Sequence, residues 1–131
     1  MKKIAHFKFE APKIIGVISD RTVPSTVQRK FDSAVKRHGP GFVCLPFKVE
    51  PKYLKNVIAC MRLMDIEGLI VIGAHIKKMA RCVPQLHGSA KKAKRVNVIR
   101  RTKKKFHGYY VEHSKGFYKE AVRLLTSRQF S

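Results

Sequence analysis

Ile14 to Ile18 form a β-rich run with one glycine and no charge. A strand with no polar face is buried on both sides, as happens inside a parallel sheet covered by helices. A turn follows at Ser19–Thr22, and Pro24, Ser25 and Thr26 then open an amphipathic segment with hydroxyls suited to capping a helix. Strand, loop and helix N-terminus is the geometry in which α/β proteins hold anions, because the helix dipole and free N–H groups face the ligand. The same residues also serve as a plain helix cap with no ligand.

The remaining chain repeats this alternation. Val27, Phe31, Ala34 and Val35 recur at helical spacing, and His38–Gly41 stops that helix. Phe42–Phe47 reads as a second strand, pushed towards a sheet edge by Pro46. A second helix turns Leu54, Val57, Ile58, Met61 and Met64 to one face and ends at Asp65–Gly68, before a third strand over Leu69–Ile72. The order β-α-β-α-β predicts that the first three strands are mutually parallel. Further on, Lys77–Val83 reads as a short helix and Pro84–Lys94 as a loop. Val96–Ile99 and Phe106–Val111 read as an antiparallel hairpin turning at Thr102, and Ser114 as the cap of a final helix carrying Phe117, Ala121, Leu124 and Leu125. Met1–Pro12 reads as an edge strand or an arm. The expected fold class is α/β: a single three-layer domain over residues 1–131, with a mostly parallel central sheet and a C-terminal antiparallel hairpin. No G-x-G-x-x-G follows any strand, so no dinucleotide-binding domain is expected.

Charge is the second constraint. Lys and Arg number 29 against 8 Asp and Glu in 131 residues, a net +21, and no acidic residue occurs from Gly68 to Val111. Such imbalance points to an anionic partner, with nucleic acid as the polyanionic candidate. The nucleic-acid candidates are Lys91, Lys92, Lys94, Arg95, Arg100, Arg101, Lys103, Lys104 and Lys105, with Phe106, Tyr109 and Tyr110 available for stacking. A solvated basic face is the alternative. Cys44, Cys60 and Cys82 read as small buried hydrophobes with reduced thiols. The histidines show no zinc spacing, so no metal is expected, the missing G-x-G-x-x-G leaves no cofactor expected either, and His75 reads as a loop residue. With no apolar run of membrane length and no signal segment, no membrane partner is expected and a cytoplasmic location is.

From Lys13 to Leu125 the order and spacing resemble the substrate-binding domain of shikimate dehydrogenases. Gly16–Asp20 leading to Arg21–Pro24 resembles that family's first strand and Ser-x-Ser-Pro helix start. Ile70–Ile76 resembles its Asn-Val-Thr-x-Pro-x-Lys segment, Arg95–Val98 its Ala-Val-Asn-Thr strand, and Gly108–Glu112 before Gly116–Phe117 its Gly-x-Asn-Thr-Asp strand end before Gly-Phe. The resemblance implies roles position by position. Arg21 and Val23 fall on the two carboxylate-binding serines, of which Arg21 retains an anion-binding group. Ser25 is a substitute hydroxyl that the family does not supply. Asn97 falls on the substrate-binding asparagine, Ile72 replaces a hydroxyl residue, and Glu112 replaces the catalytic aspartate. Ile76 falls on the lysine that assists proton transfer, and Lys77 stands one residue further on, turned about 100° if helical.

The resulting expectation is a standalone substrate-binding domain without catalysis, a pseudoenzyme holding a small carboxylate or other anion through Arg21, Ser25, Asn97, Glu112 and Lys77. One alternative is a basic adaptor for nucleic acid or a ribonucleoprotein. The other is the substrate half of a split dehydrogenase whose cofactor domain lies on another protein chain. Four of these residues also have a structural reading: Arg21 a solvated loop charge, Ser25 a helix cap, Asn97 a strand-end hydrogen-bonder and Glu112 a cap or salt-bridge partner.

Overall fold

The structure, a computed structural model, describes residues 11–127. Strand β1, Lys13–Ser19, is the axis of the sheet, with Ile15 to Ser19 all buried. It pairs in parallel with β2, Phe42–Lys48, on one side and with β3, Ile66–Val71, on the other. Beyond β3 come β5, Val98–Arg101, β6, Phe106–Tyr109, and the short β4, Gln85–Leu86, giving the order β2-β1-β3-β5-β6-β4. The β3–β5 and β5–β6 pairs are antiparallel, and β4–β6 is parallel. The three parallel strands, the edge position of β2 and the final hairpin are as expected.

Side chains alternate across the sheet with the period of two that strands impose. On one face Ile15, Val17, Ile70 and Val98 pack against Phe31 and Val35 of helix α1, Ser25–His38, and against Phe117, Ala121 and Leu125 of helix α5, Phe117–Thr126. On the other face Ile18, Leu69, Val71 and Ile99 meet Leu54, Val57, Met61 and Met79. These last four come from a 3-10 turn, Pro51–Asn56, and two short helices, α2, Val57–Leu63, and α3, His75–Met79. Helices on both faces of the sheet make three layers.

Several boundaries differ from expectation, each for a packing reason. The third strand begins at Ile66 rather than Leu69, because Gly68 is a strand residue here. A Cβ at Gly68 would lie 2.6 Å from Leu125 Cδ2, so glycine is what lets α5 lie on β3. The single helix expected from Leu54 to Met64 is split into the 3-10 turn and α2, and Met64 is exposed rather than inward-facing. The segment read as a loop contains β4 and helix α4, Ser89–Ala93, closed by Lys94 at φ 54°. The helix expected over Lys77–Val83 begins earlier, at His75, and ends at Met79. Ser114 does not cap α5: its Oγ accepts a bond from the Gly116 N–H, in the turn before the helix. Of the cysteines only Cys44 is buried, its thiol pushed up to about 12 by burial first and by Asp32 second, whereas Cys60 is exposed and Cys82 intermediate. The reading of Met1–Pro12 lies almost wholly outside the described residues. Among the described residues no helix is long and apolar enough to cross a membrane.

Candidate functional site

Parallel β1 and β3 end side by side, and antiparallel β5 begins where β3 ends, so Ser19–Arg21, Ile72–His75, Asn97 and Val111 lie along one edge of the sheet. Carboxyl ends of strands are where open α/β sheets bind ligands, because loops there diverge. Two polar clusters organise this edge.

The first ties β1 to β3. Gly73 adopts φ 77°, a conformation glycine reaches freely. The turn directs the Ala74 N–H at Asp20 Oδ1, 3.3 Å away. That bond is the main cause holding the Asp20 carboxyl below its usual range; burial opposes it, and His75 and Arg21 assist. Ser19 Oγ accepts from the Arg21 N–H at 3.1 Å, and Ser19 O accepts from Val49 N–H at 2.8 Å. His75 is buried rather than a loop residue, because its Nε2 donates to Val49 O at 2.7 Å as α3 starts.

The second cluster is centred on Asn97, 3% exposed. Its Nδ2 donates to Val111 O at 2.7 Å, and its Oδ1 accepts from the Val111 N–H at 2.8 Å. Its backbone O accepts from Val71 N–H, and its backbone N–H donates to Tyr109 O. One residue thus fastens the ends of β3, β5 and β6.

Of the expected ligand residues, Arg21 has an 89% exposed side chain with a loose 3.9 Å ion pair to Asp20. Ser25 opens α1 but does not cap it, since the cap position is Pro24 and no side chain bonds to the free N–H groups. Glu112 is exposed one residue beyond Val111. Ile76 is packed against the hydrophobic core, and its O accepts from Val96 N–H; Lys77 beside it is exposed. The structure therefore strings Arg21, Ser25, Lys77, Asn97 and Glu112 along strand ends and helix starts of one edge, with the Asn97 amide already engaged by Val111.

The nine basic candidates do not form one face. Lys91, Lys92, Lys94 and Arg95 are exposed in and after α4, next to the carboxyl edge. Lys103, Lys104 and Lys105 are exposed on the turn closed by Thr102 N–H to Lys105 O, at the other end of β5. Arg100 is buried, and its Nη1 donates to Leu124 O at 2.7 Å, near the negative end of α5. Arg101 Nη2 binds Glu67 at 3.0 Å and Asp65 at 2.5 Å. Burial disfavours its charge, but those two carboxylates outweigh burial and hold its pKa above the usual value. Tyr109 stacks on His87 at 4.9 Å, and Phe106 is buried, so neither ring is a free platform for bases.

A histidine pair went unread in the sequence. Parallel pairing of β4 with β6 sets His87 Nε2 2.8 Å from His107 Nδ1, and His107 Nε2 lies 3.3 Å from Thr102 Oγ1. Burial, then the charges of His87, Lys105 and Arg100, lowers the His107 pKa. The unfolded chain therefore takes up the proton first as pH falls, so this contribution to stability is complete above about pH 6.5 and is lost below it. His107→Gln should flatten the decline in urea midpoint between pH 7 and pH 5; an unchanged decline would remove His107 from the cause. His38, also lowered, keeps some slope in the variant. No group of three or more metal-ligating side chains occurs among the described residues.

Neither protein-family models nor curated sequences give a match to this chain. Solved structures do. Shikimate dehydrogenase 1 from Peptoclostridium difficile superposes with TM-score 0.69 at 14% identity, over 75% of this chain and 36% of that one. A shikimate dehydrogenase in complex with NADP+ gives 0.67 at 27% identity, over 75% and 34%. Shikimate 5-dehydrogenase from Listeria monocytogenes, in complex with shikimate and NAD, gives 0.67 at 23%, over 75% and 34%. The chain thus has a shikimate dehydrogenase-like fold and spans about a third of the length of the structures it matches.

Proposed function

We propose that this shikimate dehydrogenase-like fold binds a small carboxylate-bearing molecule at its carboxyl edge and carries no hydride or proton transfer of its own. The observation behind this is the uncapped start of α1. A 14-residue helix presents free N–H groups there with no side-chain cap, and the exposed Arg21 precedes it by four residues. The helix dipole and the guanidinium favour an anion at the same place. Lys77 and Glu112 line the same edge, while Asn97 acts by holding the strand ends in register.

The absence of chemistry follows from Ile76. The position that the resemblance assigns to a proton-transferring lysine carries a side chain with no titratable group, partly buried against the core. A split enzyme would need that base, so the binding reading is preferred to it.

Calorimetric titration with shikimate, and with its methyl ester as the uncharged comparison, tests the proposal. Arg21→Ala should weaken shikimate binding roughly tenfold or more, the scale of a charge-assisted hydrogen bond, and hardly affect the ester. Equal binding of acid and ester would sink the carboxylate reading. Oxidation of shikimate by the isolated chain with either nicotinamide cofactor would sink the non-catalytic one.

A further inference from the structure

At the end of the sheet opposite the carboxyl edge lies an open groove of about 1210 Å3. Its walls come from the start of β1, the α1–β2 loop, the end of α2, the β5–β6 turn and the end of α5. Lys13, Arg62, Arg100, Arg101, Lys103 and Lys104 all line it, against two carboxylates, Asp65 and Glu67, so six cations exceed the acids by four. Both carboxylates are bound by Arg101. Arg100 is spent on Leu124 O. The cations left to face a ligand are Lys13, Arg62, Lys103 and Lys104. Two of these are held in place by rings beneath them: Lys13 Nζ stands 5.7 Å over Phe42, and the Arg62 guanidinium 5.0 Å over Phe106.

We infer that this groove binds the phosphate backbone of single-stranded nucleic acid, without reading its sequence. Three observations converge on that ligand. These four like charges form no ion pair among the described residues, and gathered in one concavity they repel one another and gain from an anion between them. At about 1210 Å3 the groove exceeds the ~300–1,000 Å3 of pockets that enclose compact small ligands, and it is open to solvent, which leaves room for an extended chain. Its aromatic rings lie under cations, so it offers neither a stacking platform for bases nor the apolar centre of a protein interface. The groove is remote from the carboxyl edge, so this inference stands or falls independently of small-acid binding.

Fluorescence anisotropy of a labelled 12-nucleotide single-stranded RNA, titrated across a salt series, tests it. Four backbone contacts at ~0.7 each put the slope of log K against log salt at about −3 or shallower. Lys103→Ala with Lys104→Ala should make the slope shallower by about 1.4 and weaken binding at 0.1 M salt by roughly 20-fold. Arg62→Ala should make it shallower by about 0.7. Lys91→Ala with Lys92→Ala, at the other end of β5, should leave both quantities unchanged. All four lysines are exposed, and circular dichroism of each variant confirms folding. Equal losses from the two lysine pairs would mean diffuse attraction and overturn the assignment to the groove. So would a loss only from Lys91 and Lys92, or no measurable RNA binding. Poly-glutamate displacing the RNA as well as unlabelled RNA does would overturn the choice of a phosphate backbone.

Discussion

Phe117→Ala should destabilise the fold by about 3–5 kcal/mol, the range found when a fully buried aromatic is truncated. Phe117 is 1% exposed and opens α5 at the point where that helix meets α1. Its ring lies 6.1 Å from Phe31 and 5.6 Å from Tyr118, both edge-to-face, and His113 stacks on it at 5.0 Å. Removing it costs the transfer energy of the ring, leaves a cavity, and forfeits edge-to-face contacts worth ~0.5–1.5 kcal/mol each. The neighbours cannot close that cavity readily, because Phe31 is itself fully buried between α1 and the sheet. In urea the midpoint should fall with the slope unchanged, and the melting temperature should drop by roughly 10–20 °C. Phe117→Leu should cost less than the Ala variant, about 1–3 kcal/mol, since it keeps most of the volume but still forfeits the ring contacts. Equal stability of the Ala and Leu variants would show that the ring contacts, rather than the filled volume, hold α5 in place.

This cluster is legible in the sequence, because helical spacing places Phe31 and Phe117 on inward faces. The parallel strands were legible for a similar reason: a run such as Ile14–Ile18, apolar at every position, has no exposed face. What misled was local charge and turn chemistry. Arg100 and Arg101 read as nucleic-acid candidates within a basic run, yet they continue β5 by two residues. The strand period then sends Arg100 towards α5 and Arg101 towards Asp65 and Glu67. Gly68 read as a helix stop because glycine usually marks one, and only the approach of Leu125 explains it as a strand residue. The His87–His107 pair had no signal at all, since a two-residue strand pairing across a long sequence separation leaves no periodicity. Asp20 is similar: its partner is the backbone of Ala74, and backbone partners leave no trace in a sequence. The groove drew Lys13 and Arg62 to the hairpin turn from distant elements, so the basic stretch showed only part of it.

Asn97→Ala should cost about 2–4 kcal/mol, although Asn97 resembles a ligand-binding position. Its amide both donates to and accepts from the backbone of Val111, and it is almost fully buried. Truncation leaves the Val111 N–H and C=O without those partners, at ~1–3 kcal/mol for each buried group that water cannot reach. Val111 continues directly into Glu112, so the damage should spread along the carboxyl edge rather than into the core. Hydrogen exchange should therefore quicken at Val111 and Glu112 in Asn97→Ala, while amides of β1 beside β2 keep their protection relative to global stability. Asn97→Asp separates the two bonds. A carboxylate still accepts from the Val111 N–H, but it sets a second acceptor against Val111 O where a donor stood, so most of the loss should persist. If Asn97 served mainly to bind ligand, both variants would unfold like the parent and lose only small-acid affinity. Unchanged urea midpoints together with lost shikimate binding would move Asn97 from holding the strand ends to contacting the ligand.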